Sequence, residues 1–212
     1  MLKVANQNKP IYTPTDSTYT KLLLHGNSLN DCSGNGHVVT ANGDASYNNS
    51  GNPFGHGGAY SFDGTGDYLS IADSTDFAPT DKDFTFDAFI KFNSTASTAL
   101  NWAGIFTKAT DTSVFSITFG LTYNWQDEGG WVFRSIVTDS GGIKTAKSLT
   151  LISDNIWYHV AARRSGNDYS VYVNGVKGTI SEINFRNGTD NDWTGSTIDV
   201  PTSPYAIGNF NS

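Results

Sequence analysis

The stretch "DFTFDAFIKF" (Asp83 to Phe92) alternates without a break. Phe84, Phe86, Ala88, Ile90 and Phe92 fall on one parity, and Thr85, Asp87, Phe89 and Lys91 on the other. A β-strand sends successive side chains to opposite faces, so this segment carries one apolar face that a second layer must cover. Nowhere do apolar residues recur at i, i+3, i+4, i+7 over helical length. Short runs rich in β-branched and aromatic residues follow one another instead, bounded by Gly, Asn, Asp or Ser. "YTKLLLHG" reads as the first, followed by "AYSFDG", "DYLSIA", "WAGIFTKA", "SVFSITFGLTY", "GWVFRSIVTDSGG", "TAKSLTLIS", "WYHVAARR", "YSVYVNG" and "YAIGN". The pattern predicts an all-β fold, a two-sheet antiparallel β-sandwich.

Composition agrees. Twenty-two Gly against one Met in 212 residues describe many turns and few helices. Residues 1–18, polar and holding Pro10 and Pro14, read as an extended arm, and 19–212 as one domain without an internal repeat. Net charge is −7 with 13 Lys and Arg, and no basic run exceeds Arg163-Arg164, which argues against a nucleic-acid partner. The lone Cys32 excludes an intrachain disulfide and a Cys-based zinc site. No apolar run is long enough to span a bilayer, and the first twenty residues lack the apolar core of a secretory signal. Synthesis in a cytoplasm is the expectation.

"WYHVAARRSGNDYSVYVNGVKG" (Trp157 to Gly178) concentrates His, Arg, Asp and Ser in one short span. Turn chemistry accounts for it: "SGND" closes one hairpin, and Asn174-Gly175 is a strong signal for the next. Trp157 reads as a core residue and His159 as a framework residue. Trp157-Tyr158-His159-Val160-Ala161, Arg164 and "YVNG" together resemble the signature hairpin of laminin-G-like, concanavalin A-like jelly rolls. "FDGTGDYLSI", "DFTFDAFIKF", "DCSGNGH" and "YAIGN" are similar to other segments of that family, so the resemblance covers roughly residues 19 to 210. It implies a jelly roll whose ligand surface is a concave sheet face together with the rim loops.

No catalytic constellation stands out. Ser170, His159 and Asp154 could be drawn as a triad, but no Gly-x-Ser-x-Gly elbow accompanies them. The glucanases that the chain resembles carry Glu-x-Asp-x-x-Glu, whereas this chain has only Glu128 and Glu182, neither in that pattern. Asp83 and Asp87 would stand about 13 Å apart on a strand, beyond the separation of paired glycosidase carboxylates. Asp190 and Asp192 lie in what reads as a loop. The expectation is a protein that is not an enzyme.

Binding residues are sought in the loops. Asp31, Ser33 and Asn35 alternate before Gly36 like the first half of an EF-hand loop, but Asn42 stands where the bidentate Glu should be. Jelly rolls of the resembled family often hold one Ca²⁺ near this loop, and the alternative is a plain Asx turn. "GTGDYL" precedes a strand rather than a helix, so it reads as a turn and not as a dinucleotide site. Trp125 and Trp131 bracket a Gly-rich tip containing Gln126, Asp127 and Glu128, and Trp102 and Trp193 have similarly polar neighbours. Flat indoles beside amides and carboxylates suit a sugar, and the alternative is that they cap the core edge.

Members of the resembled family usually continue past "YAIGN" with a further strand, so the expectation is that this chain is part of a longer protein, the alternative being that another chain fills the last strand position through strand addition. The Asn/Ser/Thr/Gly-rich, Lys-poor style and "TKLLLHGNS…DGTGDYLS" are also similar to jelly rolls found on phage particles. The expected function is a non-catalytic lectin-like module at a virion surface, in a tail fibre, head fibre or decoration, binding host-surface glycan. Three other readings stay open: a structural virion assembly protein, a glycan-binding module of a bacterial extracellular enzyme, and a glycan-cleaving enzyme.

Overall fold

A computed structural model describes residues 18–48, 51–54, 57–78, 82–93, 102–111, 114–123, 128–139, 142–181, 198 and 202–208. In chain order the strands are β1 (Val39–Asn42), β2 (Ser46–Asn48), β3 (Ala59–Ser61), β4 (Tyr68–Ile71), β5 (Phe84–Lys91), β6 (Trp102–Asp111) and β7 (Val114–Tyr123). They continue with β8 (Trp131–Asp139), β9 (Gly142–Ile152), β10 (Trp157–Ser165), β11 (Asp168–Val173), β12 (Val176–Lys177), β13 (Thr179–Ser181) and β14 (Tyr205–Gly208). A 3₁₀ turn, Thr75–Phe77, is N-capped by Ser74, whose Oγ accepts the Asp76 N–H at 3.2 Å.

Eight strands form one antiparallel sheet in the order β1-β4-β14-β6-β7-β8-β9-β13, and four form a second in the order β12-β11-β10-β5. β2 and β3 make a separate hairpin. The alternation in the sequence explains how the layers meet. Phe84, Phe86, Ala88 and Ile90 of β5 turn inward beside Val160 and Ala162 of β10 and Tyr169, Val171 and Val173 of β11. Facing them from the large sheet are Ile117, Phe119 and Leu121 of β7 and Phe133 and Val137 of β8. Phe86 stacks on Phe119 with centroids 4.6 Å apart at 17°, and Phe106 extends the stack to Tyr205 at 5.2 Å. Tyr205 belongs to a second cluster with Val39, Leu69 and Ile71.

The Asn174-Gly175 turn joins β11 to β12 with φ of 49° and 79°, the left-handed geometry that favours this dipeptide. Asn174 also closes on β10: its N–H donates to the His159 carbonyl at 2.8 Å, and its Oδ1 accepts the His159 N–H at 2.9 Å.

Two expectations are corrected. Residues 20–25 form no strand, because the backbone of Leu23 is bonded by the next loop: its N–H donates to Asp31 Oδ1 and its carbonyl accepts the Cys32 N–H. Trp157 is not in the core. It lies half-buried on the outer face of the small sheet, with the Lys91 ammonium 5.6 Å above its ring, because it shares parity with His159 rather than with Tyr158.

Since Phe119 contacts both Phe86 and Phe106 and is 2% exposed, Phe119→Ala should cost about 3–5 kcal/mol of unfolding free energy in urea titrations.

Candidate functional site

The face of the large sheet turned away from the small one is unusually polar. It is built by parity. Thr118, Gly120 and Thr122 alternate with the core residues of β7, and the ladders set Thr107 opposite Thr118, Trp102 opposite Thr122, and Arg134 opposite Gly120. Lys147 follows opposite Arg134. Thr107, Thr118, Thr122, Arg134 and Thr145 are all buried on this face.

Gly120 is required here by space. A Cβ at that position would stand 2.6 Å from the Ala103 carbonyl oxygen and 2.9 Å from Trp102 Cζ2, so the half-buried indole lies directly over the glycine. Beside it Arg134 Nε donates to Thr122 Oγ1 at 3.1 Å, and Arg134 Nη2 donates to Glu128 Oε1 at 2.5 Å. Lys147 Nζ donates to the same oxygen at 3.0 Å. Burial lowers the pKa of the Arg134 guanidinium, and the Glu128 carboxylate opposes that shift. Glu128 is therefore a charge anchor between two cations. The hydroxyls of Thr107 and Thr118, neighbours across the β6–β7 ladder, have no hydrogen-bond partner among the described residues. The arrangement gathers an apolar ring, hydroxyls and paired charges on one buried sheet face.

The sequence-predicted residues divide. Trp102 is part of this face. Trp131 is not: it is 9% exposed and its ring packs against Phe92 at 4.6 Å and Tyr123 at 5.4 Å, closing one end of the core. Parity is again the reason, since Trp131 pairs with Tyr123 and lies two residues from core Phe133. Trp125, Gln126, Asp127 and Trp193 lie outside the described residues, as do Asp190 and Asp192. Arg134, Lys147, Thr107 and Thr118 were missed, although the alternation "SITFGLT" already set Thr118, Gly120 and Thr122 apart from Ile117, Phe119 and Leu121.

The loop expected to hold calcium is built around Asp31. Asp31 Oδ1 accepts the N–H groups of Leu23 (3.1 Å) and Ser33 (2.9 Å), and Oδ2 accepts Ser33 Oγ (2.8 Å) and the His37 N–H (3.1 Å). Asn35 turns its amide nitrogen toward the carbonyls of Thr20 and Lys21. These bonds give Asp31, Ser33 and Asn35 the hydrogen-bonding of an Asx-type loop. The described carboxylates with spacing for a hard cation are Asp44, Asp63 and Asp67, whose oxygens lie within 4.8 Å of one another. Asp67 is buried there, accepting the Asp44 and Asp63 N–H groups at 2.8 and 2.9 Å. The Asp63 bond helps hold Asp67 below the ordinary carboxylate pKa, while hydrogen bonding to Asp67 and its charge raise that of Asp44.

Ser170 and His159 each have other partners. Ser170 Oγ donates to Asp168 Oδ1 at 3.0 Å, and His159 Nε2 faces Asp87 at 3.9 Å on the outside of the small sheet.

Two antiparallel sheets packed face to face make a β-sandwich of the jelly-roll class. The chain belongs to the concanavalin A-like lectin/glucanases superfamily, whose pattern it matches over residues 63–204. Among solved structures it is similar to domain 4 of AbnA, a GH43 extracellular arabinanase from Geobacillus stearothermophilus, in complex with arabinotriose. The TM-score is 0.54 at 18% identity, covering 87% of this chain and 80% of that one, which shows a shared fold. No curated protein sequence matches the chain.

Burial raises the pKa of Asp31, but the four donated hydrogen bonds outweigh it and hold the folded value below the ordinary 3.8. A depressed carboxylate pKa contributes stability that is present above the unfolded value and lost as pH falls through the folded one. Asp31→Asn should therefore lower Tm at neutral pH and flatten the fall of Tm on acidification below about pH 4, as read by thermal melts across pH.

Proposed function

We propose that this chain is a non-catalytic glycan-binding module that uses the polar face of its large sheet. The observation carrying this reading is the Trp102 indole held over Gly120, beside the Arg134–Glu128–Lys147 network and the Thr107 and Thr118 hydroxyls. A pyranose or furanose ring has an apolar C–H face that stacks on an indole and a rim of hydroxyls that needs directional partners. The superfamily and the arabinotriose-bound relative of the same fold support a saccharide as the ligand class. The commitment of Glu128 to two cations supports binding over acid–base chemistry, which needs a carboxyl free to exchange a proton with substrate.

Calorimetric titration with arabinotriose and a panel of plant and bacterial-surface polysaccharides tests the reading. Trp102→Ala should weaken binding by about tenfold, the loss of roughly 1.5 kcal/mol of stacking. Unchanged affinity in that variant would remove Trp102 from the site, and release of new reducing ends by the wild type would make the protein an enzyme.

Within that reading we place the module on a virion, binding host-surface glycan for attachment. The support is the Asn/Ser/Thr/Gly-rich, Lys-poor composition. Capsid and tail genes beside this one are the expected finding. Glycoside-hydrolase genes in their place would assign it to a bacterial extracellular enzyme instead.

A further inference from the structure

The chain holds the pairs Asn35-Gly36, Asn42-Gly43, Asn174-Gly175 and Asn187-Gly188, of which the last lies outside the described residues. Each sets an electrophile beside a nucleophile. The backbone nitrogen that follows an asparagine can attack the side-chain Cγ and close a succinimide ring, and a glycine there brings no Cβ to hinder the approach.

The three described pairs differ in which atom of the amide the fold ties down. Asn35 Nδ2 donates to the carbonyls of Thr20 at 2.8 Å and Lys21 at 3.1 Å, and to Ser33 Oγ at 3.1 Å. Asn42 Nδ2 donates to Ser70 Oγ at 3.0 Å and to the carbonyls of Thr40 at 3.1 Å and Tyr68 at 3.4 Å. In both, the nitrogen that would have to leave is the bonded atom, and its departure forfeits those bonds. The Asn42 turn is also closely packed, since a Cβ on Gly43 would stand 2.5 Å from Asp67 Oδ1 and 2.7 Å from the Gly66 carbonyl oxygen.

Asn174 is arranged the other way. Its Oδ1 accepts the His159 N–H at 2.9 Å, while its Nδ2 donates to none of the described residues. The Gly175 N–H likewise has no acceptor among them. Both residues are exposed, and a Cβ at Gly175 would meet nothing within 4 Å. These contacts suit the flow of charge in the reaction. Attack on Cγ moves negative charge onto Oδ1, and a backbone N–H already bonded to that oxygen stabilises the charge as it forms. Rotation about the Asn174 Cα–C bond carries the Gly175 nitrogen to Cγ, and the open space at the turn tip accommodates it.

We propose that Asn174-Gly175 is the preferred site of spontaneous deamidation among the described residues. The Gly175 nitrogen gives up its proton to a base in the solvent and its electron pair forms the N–Cγ bond. The Cγ–Nδ2 bond breaks, and Nδ2 takes up a proton and leaves as ammonia. Water then adds to either ring carbonyl and opens the ring to aspartate or isoaspartate. Isoaspartate carries the main chain through Cγ, which inserts a methylene at the turn. Position 174 can then no longer offer both its N–H and its side-chain oxygen to His159. The change falls on β12, the outer strand of the small sheet, which pairs with β11 through Val173–Val176 and Tyr172–Lys177.

Ageing of the full chain at mildly alkaline pH and physiological temperature, followed by peptide mapping with mass spectrometry, tests the site. Far-UV circular dichroism serves as the folding control. Conversion at Asn174 should run at least about tenfold faster than at Asn35 or Asn42, the order of effect of one charge-stabilising donor. It should yield isoaspartate as well as aspartate. In guanidinium-unfolded chain the three pairs share the same local chemistry, and their rates should converge. Equal rates in the folded chain, faster conversion at Asn35 or Asn42, or aspartate at position 174 without isoaspartate would each overturn the proposal. So would a lead for Asn174 that persists undiminished in the unfolded chain.

Discussion

The contact between Phe86 and Phe119 sets the geometry of the rest. It joins the two sheets ring to ring, and with Phe106 and Tyr205 it runs a line of aromatic rings from the inter-sheet core into the second cluster. Fixing Phe119 inward fixes the parity of all of β7, because side chains in a strand alternate strictly. Thr118, Gly120 and Thr122 then have to lie on the opposite face. The ladders carry that parity to Trp102 on one neighbour and Arg134 on the other. The candidate site is in this sense the reverse side of the aromatic core.

The chain has few charges, 16% of its residues, and buries several of them in pairs. Lys108 is fully buried, bonded to Asp73 and lying 4.1 Å from the Tyr205 ring centroid. Arg134 and Glu128 are buried together on the far face with Lys147 at their margin. Breaking one partner of such a pair leaves a buried charge uncompensated, which costs far more than losing a surface pair. These networks hold local geometry and contribute little net stability. Stability rests on the apolar clusters, and the networks keep the polar face in one arrangement.

Much of the fold was legible in local pattern. The alternation of "DFTFDAFIKF" appears in the structure as an inward face of Phe84, Phe86, Ala88 and Ile90, and Asn174-Gly175 makes the turn its chemistry favours. Patterns failed where a distant segment captured the backbone or a side chain. Residues 20–25 have the composition of a strand, but Asp31 and Cys32 take the bonds of Leu23 first. Asp31 has the spacing of a calcium ligand, and its oxygens accept N–H and O–H donors that no spacing reveals. Trp131 and Trp102 looked alike beside polar neighbours, and only strand pairing separates a core ring from one on the sheet face.

The sequence by itself determined the all-β class, the hairpins and which residues of each strand share a face, because parity and turn conformation are properties of a few consecutive residues. Tertiary structure decided which faces meet. It also decided which carboxylates gather, Asp44, Asp63 and Asp67 rather than Asp31, and which tryptophan stands over the glycine opposite Arg134. Those outcomes depend on register between strands far apart in the chain, where a shift of one residue exchanges the two faces of a sheet.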